Sequence, residues 1–318
     1  MNRLDSLRPP LAATAALPLS FAAIALLLTA CGTERTDAGH SDTSTAVPSS
    51  SAQVDDPGKD GVRVTSLTFA STAPAPTKSS PVSADGLGSD SGISAAYEVT
   101  NKSDETLTYS IVFTFMSRDG GAMANQTATV RDVGPGKTVR GTVRAGGLPP
   151  ATPRVTQAKV LEVTKVPAGE APAEPGTCPG SGIRVSTDQG DAAMGLRVVG
   201  LHLENCGTQP YTVEGYPLLE LLDKDRKPVH GVKILDGSGE ITTGAGPDEQ
   251  PRPVTLGPGE SATAGLVWRN TTESGTPVNV PYVRVRAKAG AAPVTVTPNL
   301  DLGTTGKLGV KPWDKAEP

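Results

Sequence analysis

Glycine and proline break this chain into short pieces, and most of the pieces alternate apolar and polar residues. The 36 glycines and 29 prolines are spread along all 318 residues. In a helix interior glycine costs about 1 kcal/mol and proline about 3 kcal/mol relative to alanine. Many short elements joined by turns therefore fit this chain better than long helices. Residues 62–69 read Val-Arg-Val-Thr-Ser-Leu-Thr-Phe, the period of a half-buried strand. Residues 97–100 and 110–115 alternate in the same way, and 138–143 and 159–163 are further strands. In the second half, strands are predicted at 182–186, 196–203, 218–222, 262–268 and 282–287. Only 218–222, rich in leucine, is open to a helical reading. It is too short for one, with Pro217 before it and Pro228 soon after.

An internal repeat points to two related units. One strand leads into Asn101-Lys102-Ser103 and a strand through Tyr109; another leads into Asn205-Cys206-Gly207 and a strand through Tyr216. Later, Val133-Gly134-Pro135-Gly136-Lys137 and Leu256-Gly257-Pro258-Gly259-Glu260 each precede a strand, with glycine supplying the positive φ of the turn. The second spacing is longer by about the length of loop 236–253. The expected fold is all-β: two tandem immunoglobulin-like β-sandwich domains at 59–167 and 178–303. A Pro/Ala linker at 168–177 joins them. Residues 304–318, with Lys311-Pro312-Trp313, read as a loose tail.

The N-terminus reads as an export signal. Arg3 and Arg8 flank Asp5, residues 11–30 are almost wholly apolar, and Leu28-Thr29-Ala30-Cys31 closes the run as a lipobox. Pro10 and Pro18 leave too short an unbroken stretch for a spanning helix, which needs roughly 20 residues. The likeness to bacterial lipoprotein signals implies cleavage of residues 1–30 and diacylglycerol on the Cys31 sulfur. Two acyl chains anchor stably, at about 0.8 kcal/mol per buried CH2. Residues 31–58 have almost nothing to bury and read as a disordered tether. The membrane, through this anchor, is the first expected partner.

Charge and cysteine content narrow the classes further. The chain carries net −4, and removal of residues 1–30 makes it one unit more acidic. With no basic cluster it is a poor nucleic-acid binder. Most of its few aromatic residues sit in strand-like runs, which leaves little for a stacking platform. With Cys31 lipidated, Cys178 and Cys206 remain. In an exported protein the pair most simply forms a disulfide, worth about 3.5 kcal/mol on the chain-entropy model. Metal ligation or a redox pair are the alternatives, and the spacing favours neither.

From Cys178 onward the chain resembles an actinobacterial family, the domain of unknown function four-two-three-two. The features that carry the likeness are Cys178 itself, Glu204-Asn205-Cys206, Val213-Glu214-Gly215-Tyr216-Pro217-Leu218, and Leu256-Gly257-Pro258-Gly259-Glu260-Ser261-Ala262. The resemblance implies an extracellular β-sandwich, often in lipoproteins, with the two cysteines bridged. It brings no catalytic residues. The first half resembles, more weakly, the immunoglobulin-like domains of bacterial lipoproteins. The composition suits a high-GC Gram-positive source.

Motifs of common chemistries are missing from the sequence. There is no His-Glu-x-x-His, no Gly-x-Ser-x-Gly, no Ser-x-x-Lys and no phosphate loop. Asp223-Lys224-Asp225-Arg226-Lys227-Pro228 begins like a calcium loop, but Pro228 stands where that loop needs glycine. Of the histidines His40, His202 and His230, the last two form the conceivable metal pair. The long loop 236–253 carries Asp236, Glu240, Asp248 and Glu249 among glycines and is the candidate binding loop. Arg284, Arg286 and Lys288 form a basic stripe that reads mainly as the wet face of a strand. No catalytic residue, metal or cofactor is assigned. The expected function is a non-catalytic binding or scaffolding module at the cell envelope, with an envelope protein or wall polymer as partner. A cell-wall enzyme or its accessory, and an envelope metal handler, are the alternatives.

Overall fold

The computed structural model describes residues 50–54, 56–69, 90–148, 152–245 and 250–316. The lipobox residues Leu28, Thr29, Ala30 and Cys31 lie outside them, as do Asp248 and Glu249 of the candidate loop.

The described chain is all-β. In its first half the strands are β1 (Ser50–Gln53), β2 (Val62–Phe69), β3 (Ser94–Thr100), β4 (Leu107–Ser117), β5 (Ala122–Val133), β6 (Thr138–Arg144) and β7 (Val155–Pro167). They form two sheets, ordered β1-β2-β3-β6 and β5-β4-β7. Alternation along β2, β3 and β4 turns Val62, Val64, Tyr97 and Val99 from one sheet towards Tyr109, Ile111, Phe113 and Phe115 of the other. The Tyr97 and Phe113 rings meet with centroids 4.8 Å apart. Gly141 lies opposite Tyr97 in the register, and a Cβ there would stand 2.4 Å from the tyrosine ring, so only glycine fits.

The second half holds β8 (Ile183–Thr187), β9 (Asp191–Ala193), β10 (Leu196–Asn205), β11 (Tyr211–Val213), β12 (Leu218–Leu222), β13 (Lys233–Asp236), β14 (Val254–Leu256) and β15 (Ser261–Arg269). It continues with β16 (Asn279–Val280), β17 (Tyr282–Arg286), β18 (Val294–Val296), β19 (Leu300–Asp301), β20 (Lys307–Val310) and β21 (Asp314–Lys315). The main sheet runs β13-β20-β15-β10-β8, and β12-β17-β18 is a second sheet. Their inner residues, among them Leu201, Leu203, Leu266, Val283 and Val285, pack into one core.

The repeat is visible atom by atom. Asn101 and Asn205 are both buried. The Asn101 side-chain amide donates to the carbonyls of Glu105 and Val133, each at 2.7 Å, and its Oδ1 accepts the Ser103 N–H at 2.9 Å. The Asn205 amide donates to Gln209 and Leu256 at 2.8 and 2.9 Å, and its Oδ1 accepts the Gly207 N–H at 3.1 Å. Each Asn carbonyl accepts the N–H of the following Pro-Gly turn, Gly136 at 2.9 Å and Gly259 at 2.7 Å. In each half the asparagine thus ties the turn after one strand to the turn before another.

Two expectations, the tether and the tail, need correction, and the linker gains detail. The tether assigned to 31–58 ends in β1, which pairs with β2 from Ser50↔Phe69 to Gln53↔Ser66. The linker 168–177 opens with a 3-10 turn, Ala168–Glu170, fixed by the Ala168 N–H to the Thr106 carbonyl at 3.0 Å. Residues 304–316, the described part of the segment 304–318 expected as a loose tail, are no tail: β20 joins the main sheet, and Leu308, Val310 and Trp313 are core residues. The cause is chemical, since Trp313 is buried in the core and its indole N–H donates to the Ala287 carbonyl at 2.9 Å.

Candidate functional site

Cys178 and Cys206 are bridged, with Cα atoms 5.6 Å apart. Both sulfurs are therefore spent. Cys206 directly follows the buried Asn205, so the bridge ties the segment ahead of β8 to one of the two repeat turns. Gly182 and Gly207 meet there, and a Cβ on Gly182 would lie 3.2 Å from the Gly207 Cα.

The candidate loop is less free than its composition suggests. Asp236 is not a loop residue but the last of β13, which pairs in parallel with β20 through Asp236↔Val310. The next N–H, of Gly237, donates to the Val310 carbonyl at 2.7 Å, and Ser238 is buried. Glu240 lies between Lys233 and Lys307, at 3.2 and 3.5 Å. The Lys233 ammonium, hydrogen-bonded to it, and then Lys307 hold its carboxyl below the ordinary glutamate value. The Arg269 and Lys311 side chains grip the carbonyls of Ile241 and Ala245. Up to Ala245 the loop is part of the sheet edge, and Glu240 has its own cations.

The other polar candidates are also internally committed. His202 Nε2 lies 3.2 Å from Asp188 Oδ2 on the surface. Burial works against ionising Asp188, but N–H groups of Gly200 and Gly190 and the His202 ring outweigh it and lower its pKa. Among the described residues, no group of three or more His, Cys, Asp and Glu side chains could hold a metal ion. The basic stripe is dispersed. Arg284 binds Glu170 and Glu220, each at 2.8 Å; Arg286 donates to the Ala291 carbonyl; Lys288 donates to the Thr212 carbonyl and sits over the Tyr211 ring. The Asp223 turn is an Asx turn, its Oδ1 accepting the N–H groups of Asp225 and Lys227.

Two features that the sequence did not announce remain. The first is an open cleft of about 590 Å³ over the outer face of β2, β3 and β6. Register places Arg63, Glu98 and Arg140 in one row across these strands. Arg63 and Arg140 share the Glu98 carboxylate at 2.7 and 2.8 Å, and their hydrogen bonds, that of Arg63 foremost, hold it below the ordinary glutamate value. Lys59, Lys102 and Asp60 also line it, leaving a cationic excess.

The second feature is the joint between the two cores. Val166, Leu222 and Tyr282 form a small buried cluster there, with Ala171 packed on it. The Lys165 N–H donates to the Tyr282 hydroxyl at 3.3 Å. Glu170 of the linker accepts from Arg284 Nε at 2.8 Å and from the Thr295 hydroxyl at 2.7 Å. On the other side Arg131 Nε binds Glu174 at 3.0 Å, and its Nη2 binds the Pro172 carbonyl at 2.9 Å. Arg226, at φ 60°, pairs with Glu105 across the joint. One signal in the sequence could have exposed it: Glu170 and Glu174 are the only charged residues in an otherwise Pro/Ala/Gly stretch.

Residues 178–314 match the family described as Domain of unknown function (DUF4232). The DUF4232 match runs past the boundary expected at 303 and takes in Leu308, Val310 and Trp313, as the packing of the core demands. No curated protein matches the chain.

Proposed function

We propose that this protein is a membrane-anchored extracytoplasmic lipoprotein that acts as a non-catalytic binding or scaffolding module of the cell envelope. The anchor is read from Leu28-Thr29-Ala30-Cys31 and the apolar run before it. The Cys178–Cys206 bridge supports an oxidising compartment, outside the cytoplasm. The observation that carries the scaffolding part is the joint. A linker that could have been a free hinge is held on both sides, by Arg284 and Thr295 at Glu170 and by Arg131 at Glu174. Such a linker suits a device that presents two units in fixed relation rather than one that moves about a reaction. The cationic cleft at Arg63, Glu98 and Arg140 is the recognition surface we assign to an envelope protein or wall polymer.

Two readouts on intact cells test this reading. Feeding a clickable palmitate analogue should label the wild-type protein and leave Cys31→Ala unlabelled; an unlabelled wild type would overturn the anchor. Proximity labelling with the anchored protein as bait should enrich one envelope component, with enrichment lost in Cys31→Ala and reduced by Arg63→Glu with Arg140→Glu. Enrichment that survives the double charge reversal would overturn the cleft as the recognition surface.

A further inference from the structure

The joint encloses a pocket of about 180 Å³ that scaffolding alone does not call for. Its floor is the outer face of the β5-β4-β7 sheet. Register sets Thr129, Ser110 and Thr164 in one row across these three strands, with Thr108 facing Val166 nearby. On a free sheet, water would wet such a row. Here the linker at Ala171, Pro172 and Ala173 roofs it, with Thr295 and Thr297 from the second core.

All but one of the hydroxyl groups of this pocket lack a protein partner. Thr108 is 5% exposed, and its Oγ1 is buried without any hydrogen bond. Among the described residues, the hydroxyls of Ser110, Thr129, Thr164 and Thr297 bond to no protein group either. Only Thr295 is committed, to Glu170. Of the uncommitted five, Thr108 alone is buried; the other four are half-exposed or, for Thr129, exposed. Native proteins rarely leave a buried polar group such as the Thr108 hydroxyl unpaired, and fill such places with water or with a ligand. The pocket offers no free charge, because Arg131 at its rim already holds Glu174 and the Pro172 carbonyl. Each hydroxyl both donates and accepts. Val166, Ala171 and the threonine methyl groups supply apolar surface between them. That pairing suits a molecule with hydroxyls along its edge and C–H groups on its face.

We propose that the joint pocket is a binding site for a small, neutral polyhydroxylated ligand, a polyol or a single sugar ring. The volume lies below the 300–1,000 Å³ usual for drug-sized ligands, so one ring is the upper limit. Thr129 is exposed at the mouth and gives the way in. A bound ligand would bridge β4, β5 and β7 to Thr297 and so reinforce the joint. The proposal goes beyond the scaffold reading and needs neither the lipid anchor nor a macromolecular partner.

The test is a titration of the full chain in detergent, with threonine methyl groups labelled for NMR. The probes are glycerol, D-arabinose, D-glucose and N-acetyl-D-glucosamine. At least one should shift the Thr108, Thr129, Thr164 and Thr297 signals saturably. Thr164→Val, nearly isosteric, should weaken that probe about tenfold, the value of one lost hydrogen bond. Thr142→Val, on the opposite sheet, should leave affinity unchanged. Failure of all four probes to give saturable shifts would mean that the pocket holds water only and would overturn the proposal. Unchanged affinity in a folded Thr164→Val protein would overturn it equally.

Discussion

Two asparagines do the same work in the two halves of this chain. Asn101 and Asn205 are 0% and 1% exposed, and each side chain satisfies two backbone carbonyls and one N–H. A buried carbonyl that loses its donor costs about 1–3 kcal/mol. Asn205→Ala strands the carbonyls of Gln209 and Leu256, and should lower stability by about 2–4 kcal/mol. Asn205→Asp is the sharper probe. It keeps the volume and can still accept from Gly207, but it turns a donor pair into a charge facing two carbonyl oxygens. It should therefore destabilise at least as much as alanine. Asn101 should behave alike. Guanidinium midpoints of the four variants measure this, and an aspartate variant milder than its alanine counterpart would refute the role given to the amide.

At the scale of elements, what could be read from the sequence depended on side-chain contrast. Strands β2, β4 and β10 alternate large apolar with polar residues, and the sequence places them. Strand β5 escapes, because its inward side is built of small or polar residues, Ala124, Gln126 and Ala128, before Val130. Strand β20 escapes for a different reason. In Leu308-Gly309-Val310 the middle residue must be glycine, since a Cβ would stand 2.6 Å from the Gly237 carbonyl oxygen, and three residues give no period. The polar loop failed as a site for a related reason: the lysines that neutralise Glu240 come from β13 and β20, one of them distant in sequence. The closing segment carries its own prediction. Trp313→Ala should cost about 3–5 kcal/mol, as truncation of large buried aromatics does. Lys315→Ala, two residues on, breaks only an exposed pair with Glu260 and should stay within about 0.5 kcal/mol. Parallel chemical denaturation separates the two. Equal small effects would return the segment to the status of a tail.

At the scale of the whole molecule the decisive question is whether the joint makes one body of two cores. Its apolar part is small, with Val166, Leu222 and Tyr282 at its centre. A cluster of that size does not fix an orientation by area alone. Polar contacts supply the direction, because Glu170 fixes the linker against Arg284 and Thr295 while Arg226 of the second half pairs with Glu105 of the first. These pairs are part-buried, so water screens them less than it screens open surface pairs. Tyr282→Ala empties the cluster and removes the acceptor for the Lys165 N–H, at a cost of about 3 kcal/mol. Combined with Glu170→Ala, it should free the hinge while leaving both cores folded, since neither residue belongs to the two larger clusters. Backbone 15N relaxation reads this directly. In the wild type, amides of β4 and β15 should report one rotational correlation time. In the double variant they should part, each shortening towards that of a separate body, while hydrogen-exchange protection inside the strands persists. Two correlation times in the wild type would mean that the linker is a hinge after all, and fixed presentation could then no longer be the basis of the scaffold reading.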